Sequence, residues 1–142
     1  MKKKVLIPVA ILFILLLALS CSSKEISGSF PYGSYSYRSY NFLGDLVGEG
    51  SLYISEVDSN TFTGNWQIRE VRKCLNCGAQ FGSGFLTGYV ENDSMYINLN
   101  PEITEIDTRL IGVVTNGVYS GDWRWTNQAG FGFSGTFEAK RH

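Results

Sequence analysis

The side chains in this 142-residue chain that could do more than pack are three cysteines, one histidine and 13 carboxylates. Two of the cysteines stand close together, in Lys73-Cys74-Leu75-Asn76-Cys77-Gly78. A Cys-x-x-Cys pair can close a local disulfide, supply half of a tetrahedral zinc site, or cycle as a redox dithiol. A closed zinc site needs four ligands, yet the chain has no second cysteine pair and its single histidine is the terminal His142. A redox motif of this kind normally opens a helix in an α/β setting, whereas Cys74 and Cys77 lie between two strand patterns. The leading expectation is a Cys74–Cys77 disulfide or an inert thiol pair at a hairpin tip. An intermolecular metal or redox role is the alternative.

Nucleophilic catalysis of the Ser-His-Asp or Cys-His kind needs a base held against the nucleophile, and His142 at the chain terminus is a poor one. Asp45, Glu49, Glu70 and Asp122 are the acids that could converge for acid–base work. Most of the 13 acids fall on polar strand faces and in turns, the pattern of a solvated surface. The chain has no phosphate-cradling loop, calcium loop or zinc spacing. The expectation is a non-enzyme with no catalytic residue, metal or cofactor.

The third cysteine is of another kind. Lys2, Lys3 and Lys4 are followed by an uncharged run from Val5 to Leu19 and then by Ser20-Cys21-Ser22. A basic n-region with an apolar segment too short for a membrane span is the layout of a secretory signal. Leu17-Ala18-Leu19-Ser20-Cys21 resembles the lipobox of bacterial lipoproteins. The resemblance implies cleavage before Cys21 and lipidation of Cys21. It also implies a stable membrane anchor of two or more acyl chains, each buried CH₂ contributing about 0.8 kcal/mol. Ser22, in place of Asp, implies the outer membrane by that family's sorting rule, where the cell has one. Residues 1–20 are then the signal, 21–31 a Ser- and Gly-rich tether, and 32–142 a single domain. Loss of Lys2, Lys3 and Lys4 leaves 9 of the 12 bases against 13 acids, a net −4. An acidic domain of this kind is not a nucleic-acid binder, nor is it drawn electrostatically to anionic lipid.

The elements that must position these groups read as strands. Eight segments, near 34–42, 50–57, 61–71, 80–91, 94–100, 107–115, 117–126 and 130–140, alternate apolar with polar residues or are bounded by turn chemistry. The connections Asp58-Ser59-Asn60, Glu91-Asn92-Asp93, Asn116-Gly117 and Asn127-Gln128-Ala129-Gly130 suit tight turns. Leu43 to Gly48 and Pro101 to Glu105 are expected to hold a turn or a short irregular helix. A motif recurs: Thr63-Gly64-Asn65-Trp66, Ser120-Gly121-Asp122-Trp123, Ser134-Gly135-Thr136-Phe137, with Thr87-Gly88-Tyr89 a shortened relative. A strand glycine on the same face as a ring lets the sheet coil and makes room for that ring.

Sequential strands without helices predict an all-β fold, an eight-stranded antiparallel up-and-down barrel, with a β-sandwich as the alternative. Strand number, size and the Gly-x-Trp and Gly-x-Phe strands are similar to those of the calycin-like barrels, the lipocalin and avidin group. Phe62, Trp66, Tyr119, Trp123, Trp125, Phe133 and Phe137 share the inward face. They either fill a small barrel or line an apolar ligand pocket. The functional expectation is a membrane-anchored envelope protein binding a small apolar ligand without catalysis. The alternative is a filled barrel that acts on a protein partner as an inhibitor or assembly accessory. The outward side of Tyr32–Tyr40 and the Cys74–Cys77 tip would be its suspect surfaces.

Metabolic labelling with a tagged fatty acid is expected to mark the wild-type chain and leave Cys21→Ala unmarked. Equal labelling of the two would remove the lipid anchor.

Overall fold

Alternating side chains give each strand two faces, and a closed sheet turns one of them into an interior. A computed structural model describes residues 32–78 and 80–142. The signal, Cys21 and the tether lie outside the described residues. The strands are β1 (Gly33–Tyr40), β2 (Leu46–Asp58), β3 (Thr61–Glu70), β4 (Gly82–Glu91), β5 (Ser94–Asn98), β6 (Ile106–Thr115), β7 (Val118–Asn127) and β8 (Gly132–Arg141). Each pairs antiparallel with the next, and β8 returns to β1 from Tyr35↔Arg141 to Tyr40↔Thr136. The result is the closed up-and-down barrel, and the sandwich alternative falls away because no sheet edge remains.

Three links of two residues each, Ser59-Asn60, Asn92-Asp93 and Asn116-Gly117, join their strands with positive φ at Ser59, Asn92, Asp93, Asn116 and Gly117. Asn and Asp tolerate that region by bonding their own backbone, and Gly has no Cβ to clash.

The inward face of β3 carries Phe62, Trp66 and Ile68, that of β7 Tyr119 and Trp123, and that of β8 Phe137 and Ala139, all buried. They join Tyr35, Tyr37, Leu52, Ile54, Leu86, Met95, Ile97, Leu99 and Leu110 in one continuous core. Three ring polar groups find backbone acceptors inside it. Trp66 Nε1 donates to Leu99 O at 2.6 Å and Trp123 Nε1 to Tyr40 O at 2.8 Å. Tyr119 OH lies 3.0 Å from both Met95 O and Leu110 O. Burying an indole N–H or a phenol without such an acceptor would cost about 1–3 kcal/mol.

One element differs from the sequence reading. β2 begins at Leu46, so the stretch Leu43–Gly48 holds a turn only as far as Asp45 and is strand beyond it. The reason is that Gly48 and Gly50 occupy the inward positions, opposite Ser39 and Tyr37. A Cβ on Gly50 would overlap the Gln67 carbonyl of β3. The inward alternation is therefore written in glycine and shows no apolar period.

Gly135 makes the same point for the core rings. A Cβ there would overlap Tyr40 O and crowd the Trp123 indole nitrogen at 2.6 Å, the two groups that hydrogen-bond each other. Gly135→Ala is expected to lower stability by about 2 kcal/mol, measured by urea unfolding.

Candidate functional site

The outer wall of β3 to β6 carries a groove of about 780 Å³. Its construction follows from register. Thr63↔Thr87, Thr87↔Asn98 and Asn98↔Arg109 place four polar side chains in a row across the four strands. Two residues along, Thr61↔Tyr89 and Tyr89↔Tyr96 form a second row. Between the rows run Phe62, Gly88 and Ile97. Phe62 turns inward beneath Gly88, where any Cβ would overlap its ring. Val57, Asp58 and Asn60 of the β2–β3 hairpin close one side.

The two tyrosines stack with ring centroids 4.7 Å apart and planes at 11°. Arg109 is oriented by Asp107, Nε to Oδ2 2.6 Å. Asp58 and Arg109 are the charged residues of the lining, so the groove is balanced in formal charge. The lining offers aromatic faces, hydroxyls, amides and one guanidinium, with no cysteine, histidine or lysine. This is a set for recognition by stacking and hydrogen bonding.

The seven interior residues named from the sequence are distributed as follows. Phe62, Trp66, Tyr119, Trp123 and Phe137 pack on one another and their neighbours in the core. Tyr119 meets Phe137 edge-on at 4.7 Å, and Phe137 stacks on Tyr37 at 5.9 Å. Trp125 and Phe133 are half-buried at the barrel end, stacked at 5.6 Å. Phe62 is the one of the seven that lines the large groove. Trp66 borders a hollow of about 550 Å³ with Tyr53 and Phe85, and Trp125 and Phe133 one of about 430 Å³ with Phe42. Tyr119, Trp123 and Phe137 line none of these three.

Cys74 and Cys77 are joined by a disulfide, Cα to Cα 5.5 Å. The segment is not a projecting hairpin tip. Cys77 and Gln80 are fully buried, Gln80 Nε2 donates to Cys77 O at 2.9 Å, and Gly78 lies against the Trp125 ring. The β3–β4 link thus folds across the end of the barrel, where its apolar atoms extend the core. Cys74 N donates to Glu70 Oε1 at 2.9 Å, which fixes the start of the turn.

The four acids do not converge. Glu49 sits between Arg38 (3.3 Å) and Arg69 (2.8 Å), Asp45 meets Arg72 at 2.9 Å, and Asp122 stands 4.0 Å from Arg124. His142 is tied to β1, with Nε2 2.8 Å from Ser36 Oγ and its backbone N–H donating to Ser34 O.

Sequence reasoning passed over Tyr89, Tyr96, Asn98 and Arg109. A signal for Tyr89 existed. In the full motif copies the ring follows the glycine by two residues and shares its face. In Thr87-Gly88-Tyr89 it follows by one, and so must face out.

No protein-family model and no curated protein matches this chain. Among solved structures, it is similar to EF1p2_mFAP2b bound to DFHBI, with a TM-score of 0.57 and 13% identity over 78% of this chain and 93% of that one. At that identity the likeness is one of fold, a small closed β-barrel.

Burial holds the Tyr37 and Tyr119 phenols well above their ordinary value of 10.0. The unfolded chain ionises them near that value while the folded one resists. Their contribution is therefore fully present below about pH 10 and lost as pH rises beyond it. Urea unfolding is expected to show stability falling above pH 10, and Tyr37→Phe to make that fall shallower.

Proposed function

We propose that this protein is a lipid-anchored envelope protein, held at the outer membrane through Cys21, whose barrel binds a small, largely apolar ligand without catalysing a reaction. The observation that carries the binding reading is the groove on the outer wall, with the stacked Tyr89–Tyr96 pair on one side and Asn98 and Arg109 on the other. A flat apolar group laid against the tyrosines keeps one face covered by rings, while a polar substituent reaches the guanidinium or the amide. The core rings are engaged with one another, so the outer wall is favoured over the interior as the place of binding. The anchor reading is supported by the lipobox-like run ending at Cys21. A ligand-bound barrel of similar fold, EF1p2_mFAP2b with DFHBI, agrees with small-molecule binding on this architecture.

The probe 8-anilinonaphthalene-1-sulfonate combines a flat aryl system with one anion. Its emission is expected to rise on titration with the wild-type protein. Tyr96→Ala should weaken binding by about tenfold, while Phe85→Ala, on the neighbouring wall, leaves it unchanged. Equal affinity for wild type and Tyr96→Ala would overturn the groove as the site.

A further inference from the structure

The outer wall carries a further hollow, of about 550 Å³, on β2, β3 and β4. Register builds it from two rows of side chains. Tyr53↔Asn65 and Asn65↔Phe85 make the first row, Ser51↔Gln67 and Gln67↔Ser83 the second. Strand alternation turns all six outward, and all six are exposed. Their inward neighbours Leu52, Ile54, Trp66 and Leu86 are buried, so the core is made without them. Tyr53 and Phe85 keep 45% and 42% of their surface in water, although a polar side chain would serve the strand there as well.

The two rings are spaced. Two strand separations set the bases of the Tyr53 and Phe85 side chains about 9.5 Å apart, with Asn65 midway between them. Among the described residues, no hydrogen bond engages the Asn65 or Gln67 side-chain amide or the Tyr53 hydroxyl. No charged residue lines the hollow. The next row along is Glu49↔Arg69, and that pair closes on itself at 2.8 Å.

These features select among ligand classes. A protein partner is met by a contiguous apolar centre, which Asn65 interrupts here. A charged ligand finds no opposite charge in the lining. An acyl tail would desolvate the amides and hydroxyls between the rings without replacing their hydrogen bonds. A pyranose answers both parts of the set. Its C–H faces lie against aromatic rings, and the hydroxyls at its edge bond amides and serines. In an extended β-1,4-linked chain each sugar is turned over relative to the last. Alternate sugars therefore present the same face, at a repeat close to the separation of Tyr53 and Phe85.

We propose that this hollow binds an uncharged, β-1,4-linked glycan strand. Alternate sugars rest on Tyr53 and Phe85, Asn65 bonds the sugar between them, and Ser51, Gln67 and Ser83 take hydroxyls along one edge. The site stands apart from the Tyr89–Tyr96 groove and does not depend on lipidation of Cys21.

Calorimetric titration of the purified full-length protein tests it, with β-1,4-linked hexamers of glucose and of N-acetylglucosamine as probes. At least one hexamer is expected to bind, and maltohexaose, whose α-1,4 linkages curl the chain, is not. The dimer of the sugar that binds should be weaker by about tenfold, because it cannot reach both rings at once. Tyr53→Ala and Phe85→Ala should each weaken the hexamer by about tenfold. Phe85→Tyr should retain it, as should Tyr96→Ala in the neighbouring groove. An unchanged 8-anilinonaphthalene-1-sulfonate response in Phe85→Ala shows that barrel to be intact and separates failure here from failure of the groove. Absence of binding by both hexamers, equal binding of maltohexaose, or full affinity in both ring variants would overturn the proposal. So would a discrete protein adduct from photoreactive benzoylphenylalanine placed at position 85 in cells, which would mark the surface as a protein contact.

Discussion

Eight strands enclose an interior barely wider than the side chains that fill it. Large rings enter such a space only where a neighbouring strand gives up its own side chain. Trp66 lies over Gly84, Phe62 under Gly88 and Trp123 against Gly135. Each ring fills what its glycine leaves empty, and the indoles then reach carbonyls on strands that the coiling brings near. The closure of β8 on β1 depends on this accommodation, because Tyr40, whose carbonyl receives Trp123, is the last residue of the β1–β8 pairing.

That constraint has a functional consequence. Rings committed to one another and to backbone acceptors are held in place by packing and hydrogen bonds at once, and displacing one leaves a buried carbonyl without its donor. On the proposed function, recognition then falls to a surface that closure does not use, the outward rows of β3 to β6. The Cys74–Cys77 segment belongs to this division: its buried residues complete the core, while Leu75 between them is turned out.

The barrel was legible in the sequence because the alternation of β3, β7 and β8 is written in large residues against polar ones. The start of β2 was not, since Gly48 and Gly50 take the inward positions and glycine carries no hydropathy signal. The inner rings were identified correctly as sharing a face, yet whether they surround a space or fill it depends on the cross-strand glycine beside each one. That partner lies in another strand, beyond the reach of period alone. The groove was hidden for a related reason. Tyr89 stands in the shortened motif copy Thr87-Gly88-Tyr89 while Tyr96 stands in none, and only the register Tyr89↔Tyr96 makes them a stack.

The two ends of the barrel differ in kind, and the difference gives the molecule a direction. Polar two-residue turns satisfy hairpin geometry with Asn, Asp, Ser and Gly, so the end where the chain enters is built by turn chemistry alone. The longer links of the other end are free of that demand, and they carry rings and aliphatic groups that the core does not use. The groove lies toward the polar end, walled by Asp58 and Asn60 of one polar turn and by Tyr89 and Tyr96 beside another. The rigid barrel, with its rings locked to backbone carbonyls, holds the groove and the apolar links at a fixed distance from one another.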